Sequence, residues 1–276
     1  MCIRDRRYRD NRKILIYGRT QCVCVNNFQS NPLTVKSGVP QGSVLGTLLF
    51  SIYVNELPLH VSNSCELFAD DTTIHSTGSS PSQIAASLPT SADELVEWSS
   101  LYHMSLNPKK TKSMMITSRQ KRQCLNVSMP DIYINNSVVE EVNEHKVLGV
   151  IIDNNLSWSS HILSLSKKLS RKTHLFCKIK NFIDLSARKL FFSAYILSFI
   201  DYASTLWDSA SANAMKHLHR IYKRAVKTTL LRNAITPPDY VLIGILPLSS
   251  RLNFNKFNFV KKMINLFIKL FWLCFV

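Results

Sequence analysis

Apolar residues fall in short alternating runs through the first half of the chain and recur at helical spacing through the second. Residues 14–26 predict strands, because "CVCV" (22–25) supplies β-favouring residues before an Asn26-Asn27 turn. "SNPL" (30–33) predicts a loop. "KSGVPQGS" (36–43), with two glycines and a proline, predicts an irregular backbone. Ser43 then precedes "VLGTLLFSIYVNELP" (44–58), an apolar run of helical length that Pro58 is expected to end. "CELFA" (65–69) and "TTIHST" (72–77) are two β-like runs with Asp70-Asp71 between them, a hairpin signature. "GSSPS" (78–82) reads as a linker, and residues 91–104 as an amphipathic helix carrying Leu95, Trp98 and Leu101/Tyr102 on one face. "KSMMIT", "DIYI" and "KVLGVIID" are strand candidates. From Trp158 to Leu231 the pattern turns helical, in segments near 159–180, 186–208 and 212–231. The expected class is α+β up to about residue 155 and mostly α beyond it, with no internal repeat and no low-complexity tract.

Charge changes this picture more than length or composition does. The 276 residues could form one large domain or two small ones. They carry 34 Lys+Arg against 18 Asp+Glu, a formal +16. Such an excess points to a polyanionic partner, nucleic acid first and an anionic membrane surface second. Between His161 and Arg232 stand 14 Lys/Arg, among them Lys167, Lys168, Arg171, Lys172, Arg220, Lys223 and Arg224, against Asp184, Asp201 and Asp208. Any one of these cations reads as part of a solvated helix face, whereas the cluster as a whole reads as phosphate contact.

Seven cysteines lie scattered without paired zinc spacing, and the eight histidines form no HExxH or Cys/His array. Free thiols and no structural zinc are therefore expected. "MCIRDRRYRDNRK" has charge but no apolar core, so no secretory signal is expected and the chain reads as intracellular, nuclear or cytoplasmic. "MINLFIKLFWLCFV" (263–276) is apolar but short for a bilayer and interrupted by Lys269; a buried or chain-end helix is expected there rather than a membrane anchor.

The candidate chemistry sits in "LFADDTT" (67–73). Adjacent carboxylates on a hairpin present hard oxygen ligands of the kind Mg²⁺ selects, yet "ADD" is also the composition of an ordinary solvated turn. The surrounding blocks decide between the two. "SGVPQGSVLGTLLFSIYVNELP" lies upstream, and "LNPKKTKSMMI" and "HKVLGVIIDNNLSWSSHI" follow. In order and spacing these four blocks resemble the reverse transcriptase domain of non-LTR (LINE-type) retrotransposons. The resemblance continues through "FIDYASTLWDSASANAMKHLHRIYKRAVK" and "LIGILPLSSRLNFNKFNFVKKMIN", which look like the helical region after the polymerase.

That resemblance implies an RNA-directed DNA polymerase, with an RNA template, a DNA primer and dNTPs as partners and Mg²⁺ as cofactor. Asp70 and Asp71 match the family's (Y/F)ADD box, whose aspartates help hold two Mg²⁺ ions that activate the primer 3′-hydroxyl and stabilise the leaving pyrophosphate. Phe68 stands where many polymerases have Tyr, and it also has an ordinary packing role. Gly38, Pro40, Gln41 and Gly42 match the "GVPQG" turn beside nucleotide and template. Thr47 stands where the family usually has proline. Lys110 aligns with the lysine that contacts the triphosphate or protonates the leaving group. Leu148, Gly149 and Trp158 fall in the primer-grip block, with a structural role for Trp158 equally open. The basic helices would be a thumb gripping the nucleic-acid backbone.

The family's site also needs a third carboxylate from an earlier strand. Asp5 and Asp10 sit in the charged run "IRDRRYRDN", which lacks the apolar pattern of such a strand. The chain is therefore expected to be N-terminally truncated: a partial palm at 1–155 without fingers or first catalytic Asp strand, a basic thumb-like region at 156–235, and an extension with an apolar tail at 236–276. Two functional readings stand: a polymerase fragment, and a catalytically incomplete nucleic-acid-binding relic.

Overall fold

The computed structural model describes residues 2–5, 20–26, 28–35, 38–39, 42–78, 80–118, 120–121 and 130–273. Small antiparallel sheets and a larger share of helices make it an α+β protein, as expected. The chain divides into two compact units: residues 1–113 with 127–140, and residues 114–126 with 141–276.

In the first unit β1 (Cys2–Asp5), β2 (Thr20–Val25), β3 (Phe28–Gln29) and β4 (Leu33–Thr34) form one sheet, with β2 pairing all three others. The strand expected over 14–26 is seen from Thr20, residues 14–19 lying outside the described ones. The turn after it begins at Asn26, which takes a positive φ that asparagine tolerates better than most residues. Leu33, expected in a loop, instead pairs with Gln21.

Helix α1 (Val44–Val54) starts where Ser43 accepts the Gly46 N–H at 2.9 Å. It ends four residues before Pro58, the residue expected to stop it. Pro58 instead opens the short helix α2 (Leu57–His60), in the first turn where a missing N–H costs nothing. Strands β5 (Ser64–Phe68) and β6 (Asp71–His75) make the expected hairpin. Helix α3 (Pro81–Leu101) begins ten residues earlier than residues 91–104 suggested and runs through Pro89. Pro89 deletes one helical hydrogen bond. Tertiary contacts offset that loss: Leu95 and Trp98 are buried, and Asn63 donates its amide to the Ser87 carbonyl and the Ser91 hydroxyl. The Ser62 N–H and hydroxyl both donate to the Glu94 carboxylate, which holds that carboxyl below its usual range. Val54, Leu57, Val61, Leu95 and Trp98 form this unit's core, and the inner hairpin face (Cys65, Leu67, Ile74) packs on it. The short strands β7 (Lys112–Ser113), β8 (Tyr133–Ile134), β9 (Ser137–Val138) and β10 (Glu140–Glu141) follow.

In the second unit the block "KVLGVIID" is not one strand but most of a hairpin, β11 (Glu144–Val147) and β12 (Val150–Asp153), reversing at Leu148-Gly149. Helix α4 (Ser159–Ile179) buries Ile162, Leu165, Leu169, Thr173 and Phe176, a three-to-four-residue spacing that makes one stripe. Helix α8 (Ala212–Leu230) presents Leu218, Tyr222, Ala225, Val226 and Thr229 to the same core. Between them the helix expected over 186–208 is broken into α5 (Leu185–Phe192), a π turn (Ser193–Leu197), α6 (Ser198–Asp201) and α7 (Ser204–Trp207). The break falls at Ala203, which has φ +50°, and the Trp207 indole N–H takes the Tyr202 carbonyl that the break leaves open. Helix α9 (Pro237–Ile243) is capped at Thr236 by Asp239, and α10 (Leu248–Leu273) ends the described chain.

In α10, which runs on to Leu273, Met263 and Ile264 are exposed and side chains beyond Asn265 lie outside the described ones; of the two expected forms, a buried or a chain-end helix, the first described tail residues take the exposed one. Among the described residues no helix is long and apolar enough to cross a membrane.

Candidate active-site hairpin and nucleic-acid surface

The register of the first hairpin fixes where its two aspartates stand. Phe68 pairs with Asp71, so the connection is the two-residue turn Ala69-Asp70 and Asp71 is the first residue of β6. The expected tip, Asp70-Asp71, is thus displaced by one residue, because strand pairing continues until two residues remain. Ala69 carries a positive φ of 54°, a backbone conformation costly for a residue with a Cβ. Strand alternation puts Glu66, Phe68, Asp71, Thr73 and His75 on the outer face and Cys65, Leu67 and Ile74 on the core. His75 and Glu66 pair across the strands at 2.9 Å. Asp70 and Asp71 are exposed, and neither carboxylate meets a hydrogen-bond or ion-pair partner among the described residues. Phe68 beside them is 63% exposed, so its ring is a surface feature rather than packing.

The glycine turn upstream is described at its two glycines, which have φ of +84° at Gly38 and +79° at Gly42. A Cβ at either would meet nothing within 4 Å, so their backbone dihedrals, and not crowding, call for glycine there. Pro40 and Gln41 lie outside the described residues. Lys110 is exposed on a turn that Asn107 closes, its carbonyl accepting the Lys110 and Thr111 N–H groups at 3.1 Å each. Lys112, by contrast, is ion-paired with Glu140.

In the second unit, Leu148 and Gly149 form a two-residue turn with positive φ at both positions, +46° and +88°. Trp158 is buried in the core at the head of α4, and its backbone N–H donates to Asp153 at 2.8 Å. Asp153 also accepts N–H groups from Ser157 at 2.9 Å and Asn155 at 3.2 Å. Burial raises this carboxyl, but those donated bonds outweigh it and hold the group below its ordinary value. The Ile151 N–H donates to His161 Nδ1 at 3.3 Å, and burial, then Lys168, lower the pKa of that imidazole.

Of the basic cluster, Lys167, Lys168 and Arg171 are exposed on α4, and Arg220, Lys223 and Arg224 on α8. Arg220 and Lys223 line an open cleft of about 400 Å³ with Lys216 and His219. Lys172 differs: its ammonium lies over the rings of Tyr195 and Phe199. Two contributors were missed in the linear pattern, the first of them without any signal there. Tyr202 donates its hydroxyl to the Leu148 carbonyl at 2.5 Å from 54 residues away. Asp153 was readable in principle, since an aspartate four residues before a serine suits a side-chain-capped turn.

The family model for reverse transcriptase (RNA-dependent DNA polymerase) matches residues 9–152, just over half of the chain. The chain belongs to this family. It is 24% identical over 223 residues to the probable RNA-directed DNA polymerase from transposon X-element of Drosophila melanogaster, covering 78% of this chain and 24% of that protein. It is 27% identical over 235 residues to the RNA-directed DNA polymerase from mobile element jockey of Drosophila funebris, covering 81% and 24%. This reverse transcriptase family chain thus spans about a quarter of the length of the curated relatives it matches. No solved structure matches it.

Proposed function

We propose that this chain is the palm-and-thumb part of an RNA-directed DNA polymerase of a non-LTR retrotransposon, with residues 1–155 as palm, 156–235 as thumb-like region and 236–276 as extension. One observation carries the reading: in a reverse transcriptase family chain, Asp70 and Asp71 stand open at the end of a hairpin with no competing partner among the described residues. Mg²⁺ binds through one or two carboxylates and keeps waters and substrate phosphates as its other ligands, which suits this pair. Asp70 and Asp71 would hold Mg²⁺, which when bound supplies charge stabilisation for nucleotidyl transfer from a dNTP to a primer 3′-hydroxyl.

The remaining roles belong to the chain's own side chains. The Lys110 ammonium, exposed on its turn, meets the triphosphate. Gly38, Pro40, Gln41 and Gly42 let backbone approach the nucleotide and template, and Phe68 serves as an aromatic platform. The Leu148-Gly149 turn seats the primer end, while Trp158 acts by packing in the core at the head of α4. Lys167, Lys168, Arg171, Arg220, Lys223 and Arg224 contact the phosphate backbone without reading sequence.

The test is primer extension on an RNA template with Mg²⁺ and dNTPs, using the chain joined to an upstream polymerase segment that carries a third carboxylate. Asp70→Asn is expected to lower the rate by roughly a thousandfold or more while template binding persists. Activity that survives Asp70→Asn contradicts the metal role. A second reading, a nucleic-acid-binding relic without catalysis, draws on the +16 charge and on the finding that no three His, Cys, Asp or Glu cluster as a metal set among the described residues. That reading expects salt-sensitive binding to an RNA–DNA duplex and no extension in the same assay.

A further inference from the structure

Phe191, Tyr195 and Phe199 stand four residues apart along α5, the π turn and α6. A π turn is wider than an α turn, so residues at this spacing wind less about the axis and their rings come into one column. Phe176 stacks on Phe191 with ring centroids 4.6 Å apart, and Phe191 on Tyr195 at 4.7 Å with planes 8° apart. The Lys172 ammonium is set into the column, 4.7 Å from the Tyr195 centroid and 4.4 Å from that of Phe199. The inner end of the column is closed, since Phe176 is fully buried. The outer end is open: Tyr195 is 48% exposed, Phe199 37%, and Tyr202, three residues on, 54%. Tyr202 then reaches the Leu148-Gly149 turn through its hydroxyl, and its ring lies 3.7 Å from where a Cβ on Gly149 would stand.

The helix that supplies Lys172 is rich in positive charge. Residues 154–183 hold six Lys/Arg and no Asp or Glu. The nearest acids along the chain are engaged elsewhere: Asp184 caps α5 at the Ala187 N–H, and Asp201 pairs with Arg251 and Asn255. Exposed aromatic rings beside cations, with the acid inside the strip, Asp201, held by Arg251 and Asn255, match the chemistry of an unpaired polynucleotide. Such a strand offers bases that stack on any flat ring and phosphates that need positive charge. A duplex keeps its bases stacked inside and would use the lysines alone.

We propose that the strip Tyr195–Phe199–Tyr202 is a stacking track for single-stranded nucleic acid, with Lys168 and Arg171 on its phosphates, Lys172 holding the Tyr195 and Phe199 rings, and the Leu148-Gly149 turn at its end. The track deepens the polymerase reading by giving the second unit an unpaired strand as its ligand.

The test measures anisotropy of a labelled 12-nucleotide oligoadenylate RNA and of a blunt RNA–DNA hybrid of equal length, with the full chain at fixed salt. Phe199→Leu and Tyr195→Leu keep apolar volume and remove the flat ring. Each is expected to weaken single-strand binding by about tenfold and hybrid binding by less than about twofold. With the unaltered chain, 5-iodouridine RNA is expected to photo-crosslink to the peptide containing Tyr195 and Phe199, a result that does not depend on any variant folding. Equal losses on both ligands, or crosslinks confined to other segments, overturn the proposal. A concentration-dependent dimer abolished by Phe199→Leu also overturns it, by assigning the strip to a second copy of the chain. The outcome is separable from the polymerase reading, because Asp70→Asn leaves this binding unchanged whether or not it alters extension.

Discussion

Two hairpins of this chain, β5–β6 and β11–β12, both close with two-residue turns, yet they treat their aspartates in opposite ways. In β11–β12 the outgoing strand ends in Asp153, whose carboxylate accepts three backbone N–H groups and the Ser157 hydroxyl. In β5–β6 the outgoing strand begins with Asp71, and neither Asp71 nor Asp70 before it has a partner among the described residues. The turns differ in the same sense. Both turns hold a non-glycine residue at positive φ, Leu148 and Ala69, but Tyr202 ties down Leu148-Gly149 whereas Ala69-Asp70 stands exposed. A carboxylate that folding uses is surrounded by donors, and one that folding does not use remains free to bind something else. Free carboxylates in a reverse transcriptase family chain are the basis for assigning Asp70 and Asp71 to the metal.

The largest effect should come from exchanging those two fates. Asp153→Ala leaves three N–H groups without their acceptor and is expected to lower the stability of the second unit by about 2–3 kcal/mol in urea titration, while Asp70→Ala and Asp71→Ala change the first unit by less than about 0.5 kcal/mol. Similar losses at all three positions would erase the contrast. The turns give a smaller effect of opposite sign. Gly149→Ala forces a Cβ onto φ +88° and is expected to cost about 1–2 kcal/mol, whereas Ala69→Gly relieves strain and should be neutral or stabilising by up to about 1 kcal/mol. Tyr202→Phe removes a single hydrogen bond, for about 1 kcal/mol, and should raise amide exchange within β11–β12 more than in β5–β6.

The smallest effect is one of pH, and it falls on the second unit. Because His161 titrates below its ordinary 6.5, the folded state binds fewer protons than the unfolded one on the acid side of that value. Its contribution is complete above 6.5 and is lost as pH falls. Asp153 acts in the same direction lower down, contributing above 3.8 and losing that contribution as pH falls through its depressed value. Unfolding midpoints measured between about pH 7 and 5 should therefore decline, with a shallower slope in His161→Gln.

Much of this architecture could be read from local pattern, because short alternating runs and helical stripes report the face a segment buries. The hairpin at 64–75, the helices at 159–179 and 212–230, and the cap at Ser43 are of that kind. Part of what escaped the pattern was set by contacts distant in sequence. Pro89 suggests a break, yet Asn63 and the buried Trp98 keep α3 continuous across it. The helix over 186–208 breaks at Ala203 for a nearer reason, since the Trp207 indole donates to the Tyr202 carbonyl five residues before it, a bond that apolar periodicity does not report. At the candidate site the pair Asp70-Asp71 was legible, but its placement one residue off the turn was not, since alternation does not fix how far strands pair. Lys172 shows the limit for charge: sequence gives its sign, while Tyr195 and Phe199 decide where the ammonium lies.

The most direct measurement of the central claim is paramagnetic broadening of backbone amide signals by Mn²⁺, standing in for Mg²⁺, in the chain itself. Residues 68–72 should broaden first, residues 148–150 should not, and Asp70→Asn with Asp71→Asn should abolish the effect. Broadening that begins at other carboxylates, or that persists in the double variant, would contradict the assignment of the metal to this hairpin.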